Sequence, residues 1–381
     1  MSQRQPFDLA TPAPNGLRRG YTTGSSATAA VKAALWLLLH GEALSQVDIA
    51  LPDPAFYLTV PVHKVERTGE HSARAEVIKF AGDDPDNTDG ATIWAEVRVN
   101  GLGELRFLAG DGVGTVTQPG IRVPVGEPAI NPTPRQMMAW AVADVLAGAD
   151  DPGFDLTIGC VNGAEIAKKT FNPRLGIVGG ISILGTSGIV QPMSLSAWIA
   201  SIEVYIRVAL GDRPEAIAFT PGKIGAVYAR EQLHLQNKQV VQIANFVGAS
   251  LDHTEQVLRD EQHRLGTLWV LGHPGKIAKV LDGVWDTHSG KSGMAMGTVA
   301  AVAADCGFAD ELVERIRHAN TVENVIQMLH EHPASQRFWT EIEQRTARMI
   351  HERVPMAEQV QVRLFAMNGS PIGAGIGAAA N

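Results

Sequence analysis

The sequence predicts a mixed α/β and α+β protein in which an α+β domain precedes a Rossmann-like domain built on a parallel sheet. Three observations carry this prediction. At 381 residues the chain exceeds what one ordinary core organises, so two domains are expected. Up to Ala147, period-two strand candidates follow one another with few helices between them, which is the pattern of α+β. From Phe154 onward strand and helix candidates alternate, and alternation at this spacing implies parallel strands joined by right-handed crossovers.

Residues 1–16 are polar and punctuated by proline, and are expected to form a flexible arm. Thr22 or Thr23 is placed to cap a helix from about Ser25 to His40, stopped by Gly41. Its Ala27, Ala30, Val31, Ala34, Leu35 and Leu38 share one face. Strands are expected at 47–51, 57–63, 73–79, 93–99 and 104–108. A helix from Pro134 to Ala147 closes the first domain, 17–150, and Gly148 to Gly153 reads as a linker. The second domain, 151–367, has strand candidates at 155–158, 181–184, 216–220, 240–246 and 267–271. Three or four helices follow Ser292, then a strand at 359–366. The glycine- and alanine-rich stretch 368–381 is expected to be a flexible tail.

The net charge of −8, with no Lys/Arg block longer than two, argues against a nucleic-acid footprint. Two distant cysteines, Cys160 and Cys306, make neither a zinc pattern nor a disulfide framework, which suits a reducing cytoplasm. The apolar stretch 33–39 falls far short of the roughly 20 residues of a membrane span. The N-terminus lacks the pattern of an export signal. The expectation is a soluble cytoplasmic protein with no nucleic-acid, membrane or resident-metal partner. Apolar helix faces after Ser292 would serve either a core or a homodimer interface.

Chemistry is concentrated from Lys168 to Ser194, where two glycine-rich bends flank Ile181 to Leu184. Such bends let backbone N–H groups close on a ligand, although any single glycine is more often a turn residue. Each strand candidate of the second domain runs at its carboxyl end into glycine, the edge where open α/β sheets hold nucleotide-like cofactors. The dinucleotide fingerprint G-x-G-x-x-G is absent after the first of these strands, which disfavours NAD. Gly290-Lys291-Ser292 ends like a phosphate loop but Trp285 stands where its first glycine belongs. The acidic loop 83–90 has calcium-like composition but carries Asp89 at the turn-glycine position, and turn chemistry accounts for it equally well.

Several ordered blocks carry a resemblance: GYTTGSSATAA at 20–30, GDDPDNTDG at 82–90, GDGVGTVTQPG at 110–120, GEPAINPTPR at 126–135, the segment 162–194, GHPGKIAK at 272–279 and DTHS at 286–289. Together they make the chain resemble, over nearly its whole length, the cobalt-precorrin-5B C1-methyltransferase family. It departs from the family pattern at Ser26, where cysteine is common, and at Asn87, where an aliphatic residue is usual. The resemblance implies an enzyme that uses S-adenosylmethionine to methylate ring carbon 1 of a cobalt tetrapyrrole, giving cobalt-precorrin-6A in anaerobic cobalamin biosynthesis.

In that reading the cofactor contacts are Gly159, Asn162, Gly163, Glu165, Gly185, Thr186, Ser187, Gly188 and Asn245. The substrate's carboxylate arms call for cations and hydroxyls, and the candidates are Tyr21, Thr22, Thr23, Asp86, Arg135, Lys168, Arg174 and Lys276. His288, His273 and Asp84 are the proton-handling candidates, each weighed against a scaffold role. Methyl transfer from a sulfonium depends chiefly on positioning, worth about 7 to 11 kcal/mol, so no single indispensable base is expected. Two other readings are kept: a non-catalytic, nucleotide-regulated tetrapyrrole-binding or chaperoning module and, ranked below it, an NAD-dependent oxidoreductase.

Overall fold

The computed structural model describes residues 4–290 and 292–373. The chain divides into two compact units, Met1–Ala197 and Trp198–Asn381, each with its own core.

Unit 1 opens with the two-residue strands β1 (Gln5–Pro6) and β2 (Gly20–Tyr21), followed by helix α1 (Thr23–His40). The α1 start is set by Thr22, whose hydroxyl accepts the Ser25 N–H, and its end by Gly41, left-handed at φ 73°, whose N–H reaches Leu37 O. Strands β3 (Gln46–Ala50) and β4 (Phe56–Pro61) form an antiparallel pair, with β1 parallel beside β4. A five-stranded sheet has the order β5-β6-β7-β11-β8, with β5 at Lys64–Gly69, β6 at Ser72–Ile78, β7 at Thr92–Val99, β8 at Leu105–Ala109 and β11 at Phe154–Cys160. Alternate residues of β6, β7 and β11 (Ala73, Ala75, Val77; Ile93, Ala95, Val97; Phe154, Leu156, Ile158) are buried with α1 and helix α2 (Pro132–Leu146). Ala27, Ala30 and Ala34 let α1 lie close to this face, and all three are fully buried.

The remaining elements of unit 1 are short. Strands β9 (Gly112–Val113) and β10 (Thr115–Val116) precede α2; α3 (Gly163–Ala167), β12 (Ile177–Val178), β13 (Gly180–Ile181) and β14 (Ile189–Val190) follow β11. They pair β10 with β12, β9 with β13 and β2 with β14.

Unit 2 is built on a four-stranded, wholly parallel sheet of order β16-β15-β17-β18, comprising β15 (Ala216–Thr220), β16 (Val240–Gln242), β17 (Leu265–Gly272) and β18 (Ala357–Leu364). Helix α4 (Leu195–Leu210) leads into it from the last residues of unit 1. Helix α5 (Lys223–Glu231) packs Ala226 and Ala229 against Ala218 and Leu271 on one face. Helices α6 (Val247–Asp260), α8 (Met296–Asp305) and α11 (Ser335–Arg353) share the other core with Ile217, Phe219, Val241 and Val270. The shorter α7 (Pro274–Ile277), α9 (Asp310–Arg317) and α10 (Val322–Met328) complete the unit.

Four expectations need correction. The stretch 148–153 is not a boundary, because β11 pairs antiparallel with β7 from Phe154↔Val99 to Cys160↔Ile93 and belongs to unit 1. A short buried strand carries no mark of its partner's direction, which is why alternation alone assigned it to the parallel sheet. The same holds for 181–184: only Gly180–Ile181 pairs as a strand, with β9 of unit 1. Strand β5 went unpredicted because Lys64, Glu66 and Arg67 hide its period on an exposed edge. The described part of the arm is anchored, with Gln5 and Pro6 paired to Phe56 and Tyr57 and Arg4 Nη1 donating to Leu51 O at 2.6 Å. Residues 368–373 also fold back, Ile372 N donating to Leu364 O; the rest of the expected tail, 374–381, lies outside the described residues.

Candidate functional site

In unit 1, four of the blocks singled out in the sequence meet around the start of α1. Tyr21 pairs across β2 and β14 with Ile189, and its N–H donates to Phe80 O at 2.8 Å. Its phenol donates to Ile78 O at 2.8 Å; burial, and then the charge of Asp89, push its pKa up to about 12, so it stays a donor. Thr22 N donates to Gly188 O and Ser25 Oγ donates to the same carbonyl at 2.6 Å. Thr23 Oγ1 accepts Leu184 N–H at 2.9 Å, and Gly24 N donates to Leu184 O. Both threonines are therefore occupied inside the fold, Thr22 as the helix cap and Thr23 as a tie to 182–184.

The acidic loop 82–90 is likewise bonded inward. Asp83 takes the Arg18 backbone N–H at 2.7 Å and its guanidinium at 2.8 Å. Asp84 accepts the Met193 N–H at 2.9 Å, and Asp89 accepts Ala81 N–H. Asp86 receives the Lys79 ammonium at 2.7 Å together with the Thr88 N–H and hydroxyl. Burial raises the Asp86 pKa, but the Lys79 charge and these hydrogen bonds outweigh it and hold the carboxyl below its ordinary value. Lys79 itself is buried, and no pattern in the sequence marked it.

The glycines behave differently from expectation. A Cβ on Gly163 would lie 2.1 Å from Gly112 O, one on Gly185 2.5 Å from Thr22 Oγ1, one on Gly188 2.7 Å from Leu51 Cδ2, and one on Gly159 2.0 Å from the Trp94 ring. These positions are glycine because protein, not ligand, closes on them. Among the other cofactor candidates, Asn162 caps α3 in the left-handed region, Glu165 pairs with Lys168 at 2.6 Å, Ser187 bonds Ile189 O, and Thr186 is exposed. Cys160 is buried and its thiol is pushed up to about 11, which removes the reactive thiolate.

Around these blocks unit 1 has a surface that mixes apolar and cationic groups. Ile78 sits opposite Thr92, whose carbonyl accepts Val161 N–H, so Ile78, Phe80 and Val161 lie together at this end of the sheet, all exposed. Asn87 Nδ2 donates to Lys169 O and joins the acidic loop to the segment that carries Lys168, Lys169 and Arg174. Lys169 and Arg174 are exposed and, among the described residues, form no ion pair. Arg135 is not on such a surface: it donates to Ile130 O at 2.9 Å and to Glu127 at 3.2 Å and stacks over Phe107.

In unit 2 the candidates gather at the carboxyl edge of the parallel sheet. Asn245, after β16, donates to Asp286 at 2.6 Å, and its carbonyl accepts Thr287 N–H. His273, after β17, caps α7: its Nδ1 accepts Gly275 N–H at 3.0 Å and its Nε2 faces Glu323 at 2.9 Å. Both ring nitrogens of His273 are thus engaged within the fold. His288 Nδ1 accepts Gly290 N–H at 3.0 Å, which leaves Nε2 on an exposed ring as a hydrogen-bond donor. Lys276 is exposed, whereas Lys279 is buried and clamps Ser292 at 3.0 Å. Pro221, after β15, lies against Gly272, the last residue of β17, so the two strand ends are neighbours.

Comparison with known proteins decides the family. Residues 10–192 match the family described as CbiD, and residues 286–375 match its C-terminal domain. A cobalt-precorrin-5B C(1)-methyltransferase from Ralstonia nicotianae is 70% identical over 373 residues, covering 98% of this chain and 97% of that one. The chain belongs to the cobalt-precorrin-5B C(1)-methyltransferase (CbiD) family. A relative of the same name from Chromobacterium violaceum is 68% identical, covering 97% of this chain and 98% of its own length. A crystal structure of cobalamin biosynthesis protein (cbiD) from Archaeoglobus fulgidus is 28% identical, with a TM-score of 0.39, covering 73% of this chain and 85% of that one. Among the described residues no cluster suited to a metal ion is found, and no helix is long and apolar enough to cross a membrane.

Proposed function

We propose that this protein transfers a methyl group from S-adenosylmethionine to ring carbon 1 of cobalt-precorrin-5B, giving cobalt-precorrin-6A in anaerobic cobalamin biosynthesis. The observation that carries the reading is the 70% identity to a methyltransferase of that name along 98% of the chain. In the reaction an electron pair on the ring carbon forms the new C–CH₃ bond as the S–CH₃ bond breaks, and S-adenosylhomocysteine leaves. The protein's share is to hold the two reactants in line and dry. Cobalt arrives as part of the substrate.

The substrate side is assigned to the mixed surface of unit 1. A tetrapyrrole presents a flat apolar ring fringed by carboxylates. Phe80, Ile78 and Val161 supply apolar contact, while Lys168, Lys169 and Arg174 supply cations at its margin. Unit 2, with its helix-covered parallel sheet, is read as Rossmann-like and as the donor side, and Asn245 stays there. The two free cysteines suit a cytoplasmic location.

The test is anaerobic incubation of the purified protein with cobalt-precorrin-5B and methyl-labelled S-adenosylmethionine. One methyl gained by the corrinoid for each S-adenosylhomocysteine released is expected. Tight corrinoid binding without S-adenosylhomocysteine would establish the chaperone reading instead, and a nicotinamide absorbance change the oxidoreductase one. Lys169→Ala with Arg174→Ala is expected to raise the KM for the corrinoid at least about tenfold and to leave kcat nearly unchanged.

A further inference from the structure

The sheet of unit 2 changes winding direction between β15 and β17: β15 is followed through α5 by its neighbour on one side, β16, and β17 then lies on its other side. Open α/β sheets hold ligands outside the carboxyl ends of the strands at such a point. The turn there reads Thr220-Pro221-Gly222-Lys223-Ile224-Gly225. It contains two of the three glycines of a nucleotide-binding turn, in the same structural roles. Gly222 has nothing within 4 Å of where a Cβ would stand, so a ligand has open access to the backbone. A Cβ on Gly225 would lie 2.1 Å from Leu271 O, so this glycine brings α5 down onto β17. Helix α5 has no side-chain cap at Gly222, so that its first-turn N–H groups have no capping side chain there, and Lys223 beside them is exposed.

A second observation is independent of the helix end. Thr220 is fully buried, and its hydroxyl has no hydrogen-bond partner. Ala218, two residues earlier on β15, packs against Ala226 and Ala229 of α5, so by strand alternation Thr220 faces the same side, beneath the first turn of that helix. A buried hydroxyl left unpaired is destabilising, and a group seated on the turn would be its partner.

We propose that the β15–α5 turn, Thr220 to Gly225, is the anion seat of a nucleoside-binding site, taking the carboxylate of an adenosyl amino acid or the phosphate of a nucleotide. The choice of an adenosyl amino acid as the natural occupant rests on the methyl-donor reading above. The full G-x-G-x-x-G fingerprint is not met at this turn, because Thr220 stands at the position of its first glycine.

Calorimetric titration of the full-length protein with S-adenosylhomocysteine, and separately with adenosine 5′-monophosphate, tests the proposal. Gly222→Asp places a carboxylate on the seat and is expected to weaken binding at least about 30-fold. Thr220→Val removes only the unpaired hydroxyl and is expected to weaken it about 3- to 10-fold, with the melting temperature of the ligand-free protein unchanged or raised. Binding of S-adenosylhomocysteine that both variants leave intact would overturn the seat and leave the methyl-donor reading standing. Binding of the monophosphate alone, weakened in both variants, would uphold the seat and sink that reading. Binding of neither compound to the wild-type protein would overturn the seat.

Discussion

Glycine serves opposite purposes at two places in the molecule, the 159–188 stretch of unit 1 and the β15–α5 turn of unit 2. In unit 1 most glycines of 159–188 are pressed against other parts of the chain: Gly180 and Gly163 both close on the carbonyl of Gly112, and Gly185 closes on Thr22, while Gly179 faces open space. In the β15–α5 turn of unit 2, Gly222 faces open space and Gly225 is pressed against β17. Hydroxyl and carboxylate groups divide in the same way. Those of the unit 1 blocks, from Thr22 to Asp89, are bonded within the fold, whereas Thr220 and Thr287 of unit 2 are buried with unpartnered hydroxyls. Density of glycine and of polar motif thus reports a tight fold in one place and an open edge in the other. What separates them is whether the space beside the backbone is already filled.

The sharpest break of this comparison comes from the buried pair of unit 1. Asp86→Asn leaves the Lys79 ammonium buried without its counter-charge, and a loss of about 3 to 5 kcal/mol is expected, read by urea unfolding. The pH dependence follows the same pair. Because the folded-state pKa of Asp86 lies below its unfolded value, its contribution is present above the ordinary carboxylate range, near pH 4, and is lost as pH falls through the folded pKa. The wild-type protein is therefore expected to lose more stability than Asp86→Asn between about pH 5 and pH 3.

A smaller effect is expected where glycine admits protein. Gly180→Ala would put a methyl 2.1 Å from Gly112 O, and a cost of about 1 to 3 kcal/mol is expected, seen as a melting temperature lower by several degrees. The matching change in unit 2, Gly222→Ala, is expected to alter stability by less than about 0.5 kcal/mol. Equal melting temperatures for the two variants would erase the distinction between filled and open glycines. The smallest expected effect is at His288. Its open Nε2 makes it a donor, so His288→Gln is expected to slow turnover less than about tenfold without moving the pH–rate profile; a shifted acid limb would instead make it a base.

Much of the local structure was legible from residue pattern. The α1 cap at Thr22 and stop at Gly41, the 216–220 strand, and the closing strand near 359–366 all follow from turn chemistry and from periods of 3.6 and 2. The candidate site was legible only as a set of blocks. The side chains of Thr22, Thr23 and Asp84 serve the fold, whereas Lys169 and Arg174, within the 162–194 block, are exposed. Lys79 was invisible because a buried lysine in a strand looks like any alternating polar residue until its partner across the loop is known.

By itself the sequence determined the family, the two-part organisation, most of the longer elements and the caps of α1, because these depend on residues near one another in the chain and on ordered blocks. Tertiary structure decided where the division falls, since β11 is claimed by β7 through seven paired residues that no local pattern encodes. It also decided which glycines face protein and which face solvent. That is a property of the space beside a backbone atom, and residues far apart in the chain fill that space or leave it open.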